Sequence, residues 1–138
     1  MKDVAYIALG SNLGRREVFL AEARAAIAAL RQTTMLAETE VLETAPIGPV
    51  EQGPFLNQMI AVQTELSPRQ LLALLQEIER KAGRTRTQRW GPRTLDLDIV
   101  LFEKQLVEER DLTVPHPELP NRAFWQTELA QLRAVAVD

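Results

Sequence analysis

The chain has no cysteine. Disulfides, cysteine-based zinc sites and thiol catalysis are therefore excluded. It has a single histidine, His116, and one histidine cannot build a metal site by itself. No apolar run approaches the ~20 residues needed to cross a membrane, so no membrane partner is expected. The first residues, MKDVAYIAL, turn at Gly10. That stretch is too short for a signal peptide and reads as a first strand, which fits a cytoplasmic location. The net charge of -3 argues against a general nucleic-acid binder. What is present is ordinary: 138 residues, 46% hydrophobic and 25% charged, as in one globular domain spanning 1–138. The charge is uneven, however. Arg80 to Arg93 holds six Lys or Arg and no acidic residue, which suits a local anion site.

The most informative stretch is Arg89 to Phe102, RWGPRTLDLDIVLF. Its second half alternates strictly. Leu95, Leu97, Ile99 and Leu101 are expected on one side of a strand, with Asp96, Asp98, Val100 and Phe102 on the other. Two carboxylates in an otherwise apolar strand are costly to bury unless paired, hydrogen-bonded or bound to a cation. Two residues apart, their Cα atoms lie roughly 6.5 Å from each other and both side chains point the same way. That arrangement suits one or two hard cations. Arginines just upstream suit anions, and the combination suggests a metal–polyphosphate substrate. The plain alternative is an edge strand whose Asp face is simply solvated.

Upstream, Val4–Leu9 reads as a strand and Arg15–Gln32 as a helix with Leu20, Ala23, Ile27 and Leu30 in one stripe. The glycine-bearing turn between them lacks the lysine of a Walker motif and reads as a connection whose Asn12 ties down the local backbone. Thr34–Glu43 is a second strand, and Phe55–Leu66 a third. Between them, Thr44 to Pro54 forms a loop with three prolines and two glycines. Asn57 is either a core hydrogen bonder or a ligand reader. Ser67-Pro68-Arg69-Gln70 is a capped helix start, and Gly83 the expected stop. Gln76 and Glu79 share the flank of that helix, either solvated or facing a site. Gly83–Arg93 is a basic loop, mobile or a lid. Gln105–Glu108 reads as a short return strand. His116, between two prolines, is a structural residue or a phosphate ligand. Asn121–Trp125 begins a last short helix or turn. This order predicts an α+β fold, a ferredoxin-like βαββαβ sandwich with a mostly antiparallel sheet and helices on one face.

Several motifs then occur in order: Gly10-Ser11-Asn12-Leu13-Gly14, Thr44-Ala45-Pro46-Ile47-Gly48, Phe55-Leu56-Asn57, Arg89 to Asp98, Val114-Pro115-His116-Pro117 and Arg122-x-Phe124. Together they resemble the hydroxymethyl-dihydropterin pyrophosphokinases of folate biosynthesis, over about residues 4 to 125. The resemblance implies transfer of the terminal pyrophosphoryl group of ATP to the pterin hydroxymethyl oxygen, releasing AMP. It implies that Asp96 and Asp98 hold two magnesium ions, and that Arg84 and Arg93 stabilise charge on the transferred group. Gln76, Glu79, Arg86, Trp90, Ile99, Thr113, His116 and Arg122 would contact ATP. Thr44, Ala45, Ile47 and Asn57 would read the pterin edge, Phe55 and Phe124 would sandwich its ring, and Trp90 would close over it. The expected partners are small molecules, and the expected state is a monomer. Asp111 departs from the pattern, standing where some relatives carry a basic residue, with Arg110 adjacent. After Phe124 the run Trp125-Gln126-Thr127-Glu128-Leu129 also departs from it.

Two rival readings stand beside this one. An inactive paralogue would bind nucleotide or pterin without transfer. A single-strand nucleic-acid module would use aromatics on a sheet of the same fold. The net charge and the Asp pair count against the second, and fold alone does not choose.

Overall fold

A computed structural model describes residues 1–45, 53–83 and 95–136. The elements are β1 (Asp3–Ser11), α1 (Arg16–Ala28), β2 (Thr33–Glu38), β3 (Leu42–Thr44), β4 (Phe55–Thr64), α2 (Pro68–Lys81), β5 (Asp96–Phe102), β6 (Val107–Glu109), β7 (Leu112–Val114) and α3 (Ala123–Ala136), the last preceded by a single 3-10 turn at Leu119–Asn121. The main sheet runs β2-β4-β1-β5, with β3 beside β4 and every pairing antiparallel. Counting β2 and β3 as one interrupted strand gives the βαββαβ order expected from the sequence.

The interruption has a local cause. Thr39 turns its hydroxyl inward, where it accepts the Met59 N–H at 3.0 Å, and its own N–H donates to the Met59 carbonyl at 2.9 Å. A threonine side chain that substitutes for the backbone in this way ends regular pairing. The single strand expected over Thr34–Glu43 is therefore two. Helix α1 also stops earlier than its apolar stripe suggests, because Gln32 takes a left-handed φ of 54° and reverses the chain into β2. Helix α2 matches its signals. Ser67 and Gln70 form a reciprocal capping box, and Gly83 follows at φ +81°.

Helices α1 and α2 cover one face, over a core of Ile7, Leu9, Leu20, Ile27, Ile60, Leu71, Leu75, Leu97, Ile99 and Phe102. The last helix is longer than the short helix or turn expected. Its 14 residues lay Trp125, Leu129 and Leu132 on part of the opposite face, against Tyr6, Ala8, Met59, Ala61 and Val100. The strict alternation of β5 does not hold either. Ile7 pairs with Ile99 but Tyr6 with Leu101, so Val100 is an extra residue. Beyond this bulge Phe102 packs under α1 and α2, whereas Val100 and Leu101 pack towards α3. The return strand is β6, which forms a hairpin with β7.

Two carboxylates hold α3 in different ways. Glu103 receives the Tyr6 hydroxyl at 2.7 Å and both Arg133 Nε and Nη2, at 2.9 and 2.7 Å. Burial first, and then Glu103, raises the Tyr6 pKa. Glu128 is 2% exposed, accepts only the Thr39 hydroxyl at 3.2 Å, and has no partner for Oε1 among the described residues. Burial pushes its carboxyl up to about 7, with the Thr39 bond acting the other way. A raised carboxyl pKa means that the folded protein holds its proton longer than the unfolded chain does. Stability is then fully present below the ordinary value of 4.5 and is lost as pH rises through about 7. Glu128→Gln is expected to stabilise the fold at pH 8 by about 1–3 kcal/mol relative to its effect at pH 4.5. Urea denaturation at the two pH values measures this, and equal shifts at both would rule out titration of Glu128 in that window.

Candidate active site

The site begins with the width of β1. Gly10 pairs with Asn57 of β4 on one side and with Asp96 of β5 on the other. One step along, Ala8 stands between Met59 and Asp98. Directly paired residues point to the same face. Asn57, Asp96 and Asp98 therefore share the face that α3 covers only in part. A Cβ on Gly10 would lie 3.4 Å from Asn57 Oδ1 and 3.5 Å from Phe55 Cδ1. Glycine thus lets both side chains lie close over the strand. Asn57 Nδ2 in turn donates to the Thr44 hydroxyl across the β3–β4 ladder. Ala45, which follows, is exposed.

Asp96 and Asp98 are both half-buried, so neither is the costly buried charge that the strand's apolar neighbours suggest. As β5 is the last strand on its side, the solvated-edge reading describes part of their environment. Asp98 also faces a partner. Its Oδ1 lies 3.6 Å from His116 Nε2. His116 Nδ1 accepts the Glu118 N–H at 3.0 Å, so a neutral ring carries its proton on Nε2, towards Asp98. The backbone N–H of His116 donates to the carbonyl of Val100, the bulged residue, at 2.9 Å.

Trp125 organises the other end of the site. His116 meets its ring edge-on, with centroids 5.0 Å apart at 87°. The Arg122 guanidinium carbon lies 4.3 Å from the same ring, and Phe124 contacts it at 6.3 Å. Arg122 Nε is buried with no partner among the described residues. Trp125 is 2% exposed and holds two candidate phosphate ligands in place. Sequence reasoning placed it only in a departing run. Its signal was an indole directly after Arg122-x-Phe124 in a chain with one histidine.

Other expected residues stand apart from this cluster. Gln76 is exposed, whereas Glu79 is buried and its Oε2 accepts the Leu97 N–H at 2.7 Å. The side chain of Ile99 is in the core, which leaves its main chain as the group able to meet a ligand. Thr113 is half-buried in the β6–β7 hairpin, opposite Glu108. Asp111 pairs at 2.9 Å with Arg69, which also binds Glu109, so the departing acidic residue ties that hairpin to the start of α2. Arg110 beside it is exposed. Ile47, Arg84, Arg86, Trp90 and Arg93 lie outside the described residues.

The donor set fits a hard divalent cation. Two half-exposed carboxylates lie on one face beside small residues, and no group of three or more His, Asp or Glu that would cage a metal occurs among the described residues. Magnesium needs only one or two carboxylates when substrate phosphates and water supply the remaining oxygens.

Glu79 also supports β5, because N–H groups on the outer edge of a last strand need partners. Glu79→Ala is expected to lower stability by about 1–3 kcal/mol, and Glu79→Gln, which keeps an acceptor, by less than half of that. Urea melts of both variants test this. Equal losses would mean that the Leu97 bond is not what the carboxylate contributes.

The family model described as 7,8-dihydro-6-hydroxymethylpterin-pyrophosphokinase matches residues 6–134. Three curated proteins, each named 2-amino-4-hydroxy-6-hydroxymethyldihydropteridine pyrophosphokinase, are similar along most of their length. That of Bacillus subtilis is 45% identical over 96% of this chain and 79% of its own. That of Pseudomonas aeruginosa is 44% identical over 92% and 78%. That of Haemophilus influenzae is 43% identical over 87% and 75%.

Proposed function

The chain belongs to the 7,8-dihydro-6-hydroxymethylpterin-pyrophosphokinase family, and on that premise we propose that it transfers pyrophosphate from ATP to 6-hydroxymethyl-7,8-dihydropterin. The products are AMP and the pterin diphosphate, a step of folate biosynthesis. The observation that carries this reading is the row Asn57–Gly10–Asp96, with Asp98 one step along. It sets a neutral amide reader and a carboxylate pair side by side on one open face, as a reaction between a polar heterocycle and a metal-bound triphosphate requires.

In this reading Asp96 and Asp98 hold two magnesium ions. When bound, these supply positive charge to the phosphate oxygens. The chain's own groups bind and align. Arg122 and the Nε2–H of His116 are donors for phosphate, held by Trp125. Thr44 and Asn57 fix the polar edge of the pterin, and Phe55 and Phe124 offer ring faces. Gln76, Glu79, Thr113 and the Ile99 main chain border the nucleotide. Arg84, Arg86, Arg93, Trp90 and Ile47 take their roles from motif position alone. Phosphoryl transfer depends mainly on in-line placement and charge neutralisation. The working unit is a single chain acting on two small molecules.

Incubation of the protein with ATP, magnesium and the reduced pterin is expected to release AMP. ADP would indicate an ordinary kinase, and binding without either product the inactive paralogue. Asp98→Ala is expected to abolish turnover while the protein still folds, since it removes a metal ligand and leaves no unpaired buried charge behind. Full activity of that variant at limiting magnesium would remove Asp98 from the metal site.

Phe55→Ala and Phe124→Ala are expected to weaken pterin binding by about 1–3 kcal/mol each, by analogy with base stacking, with much less effect on ATP. Calorimetry with each ligand separates the two. Equal losses for both ligands would make these rings general core.

A further inference from the structure

The β1–α1 turn reaches much farther than its own backbone. Asn12 Nδ2 donates to the Gly53 carbonyl at 3.1 Å, 41 residues away, so it reaches beyond the local backbone. Arg16, the first residue of α1, places Nη1 2.9 Å from the Pro54 carbonyl and 3.2 Å from Glu43 Oε2. The two acceptors belong to different segments. Glu43 is the middle residue of β3, and Pro54 directly precedes β4. One guanidinium group therefore bridges the strand that carries Thr44 and the entry to the strand that carries Phe55 and Asn57.

This bridge has work that the ladder does not do. β3 has three residues, and its last pair is Thr44 with Phe55. The Gly53 and Pro54 carbonyls precede that pair, and among the described residues the side chains of Asn12 and Arg16 bond them. A three-residue strand on the sheet's rim has little to fix its angle by itself. A single nitrogen, Nη1, meets both the carbonyl and the carboxylate. Arg16 is about one-quarter exposed, so its bond to Pro54 is partly shielded from water. The Glu43 contact, with Glu43 more than half exposed, adds little by itself.

We propose that Arg16 is a positioning residue for the pterin site, setting Phe55, Thr44 and Asn57 from behind without touching substrate. This rests on the pterin placement argued above, and the test separates the two. Pterin and a non-hydrolysable ATP analogue are titrated separately by calorimetry into the parent, Arg16→Met, Arg16→Lys, Glu43→Gln and Asn57→Ala, and kcat and KM are measured for each. Arg16→Met keeps the apolar stem and removes the donors. It is expected to raise the pterin Kd and KM roughly tenfold, the scale of one lost hydrogen bond to a charged group, with ATP affinity and kcat within about twofold of the parent. Arg16→Lys, whose ammonium still donates to the Pro54 carbonyl, is expected to recover most of that loss, and Glu43→Gln to stay within about twofold of the parent. Unchanged pterin affinity in Arg16→Met, while Asn57→Ala weakens it, overturns the proposal and leaves the site reading intact. Equal loss of pterin and ATP affinity in Arg16→Met also overturns it, because that is general destabilisation. Unchanged pterin affinity in Asn57→Ala overturns the placement itself and the proposal with it.

Discussion

The site depends on a taper in the central strand. On the face turned towards α3, β1 presents Tyr6, then Ala8, then Gly10. The phenol fills the space between sheet and helix and anchors to Glu103. The methyl group of Ala8 fills less, and Gly10 none. Packed contact with α3 therefore gives way, within five residues of one strand, to a stretch over which Asn57 and Phe55 lie close. The flanking strands carry half-buried polar groups at this end: Asn57 on one side, Asp96 and Asp98 on the other. The opposite face of β1, with Ile7 and Leu9, stays apolar under α1 and α2. Site and core are thus two faces of one strand, and the rigidity of the second supports the placement of the first.

Acidic side chains near β5 and α3 divide by surroundings. Asp96 and Asp98 are half-buried and keep partial contact with water. Glu79 is buried but satisfies a backbone donor. Glu128 is buried with one weak donor, and its preference for the proton follows from that shortage. The same functional group is thus half-solvated in one place, an edge cap in another and a poorly solvated core residue in a third, and the surroundings decide which.

The sequence displays the fold wherever local signals and packing agree. The capping box of α2, the apolar run of β1 and the alternating start of β5 all lie where their residues indicate. Asp98 of the Asp-x-Asp pair and the single histidine also lie 3.6 Å apart in space, a neighbourhood that no spacing in the sequence displays. What was hidden depends on contacts between distant segments. Thr39 breaks a strand only because Met59 offers it backbone partners. Asn12 reads as a local turn residue and Arg16 as part of a helix start, because nothing near them in the chain names Gly53, Pro54 or Glu43. Trp125 and Glu128 looked like departures from a motif, yet one holds His116 and Arg122 and the other faces Thr39. A period-two pattern cannot show a bulge, so Leu101 and Phe102 were assigned to the wrong faces.

That bulge also separates two kinds of tolerance in β5. Val100 is surplus to the pairing: Ile99 and Leu101 already match Ile7 and Tyr6 without it. Loss of one residue at this point would leave the hydrogen-bond register with β1 continuous and Phe102 still opposite Ala5. It would take away the carbonyl on which the His116 segment rests. Chain length at this position is therefore set by what rests on β5, namely the His116 segment on the Val100 carbonyl and α3 on the buried Val100 side chain, and not by the pairing with β1.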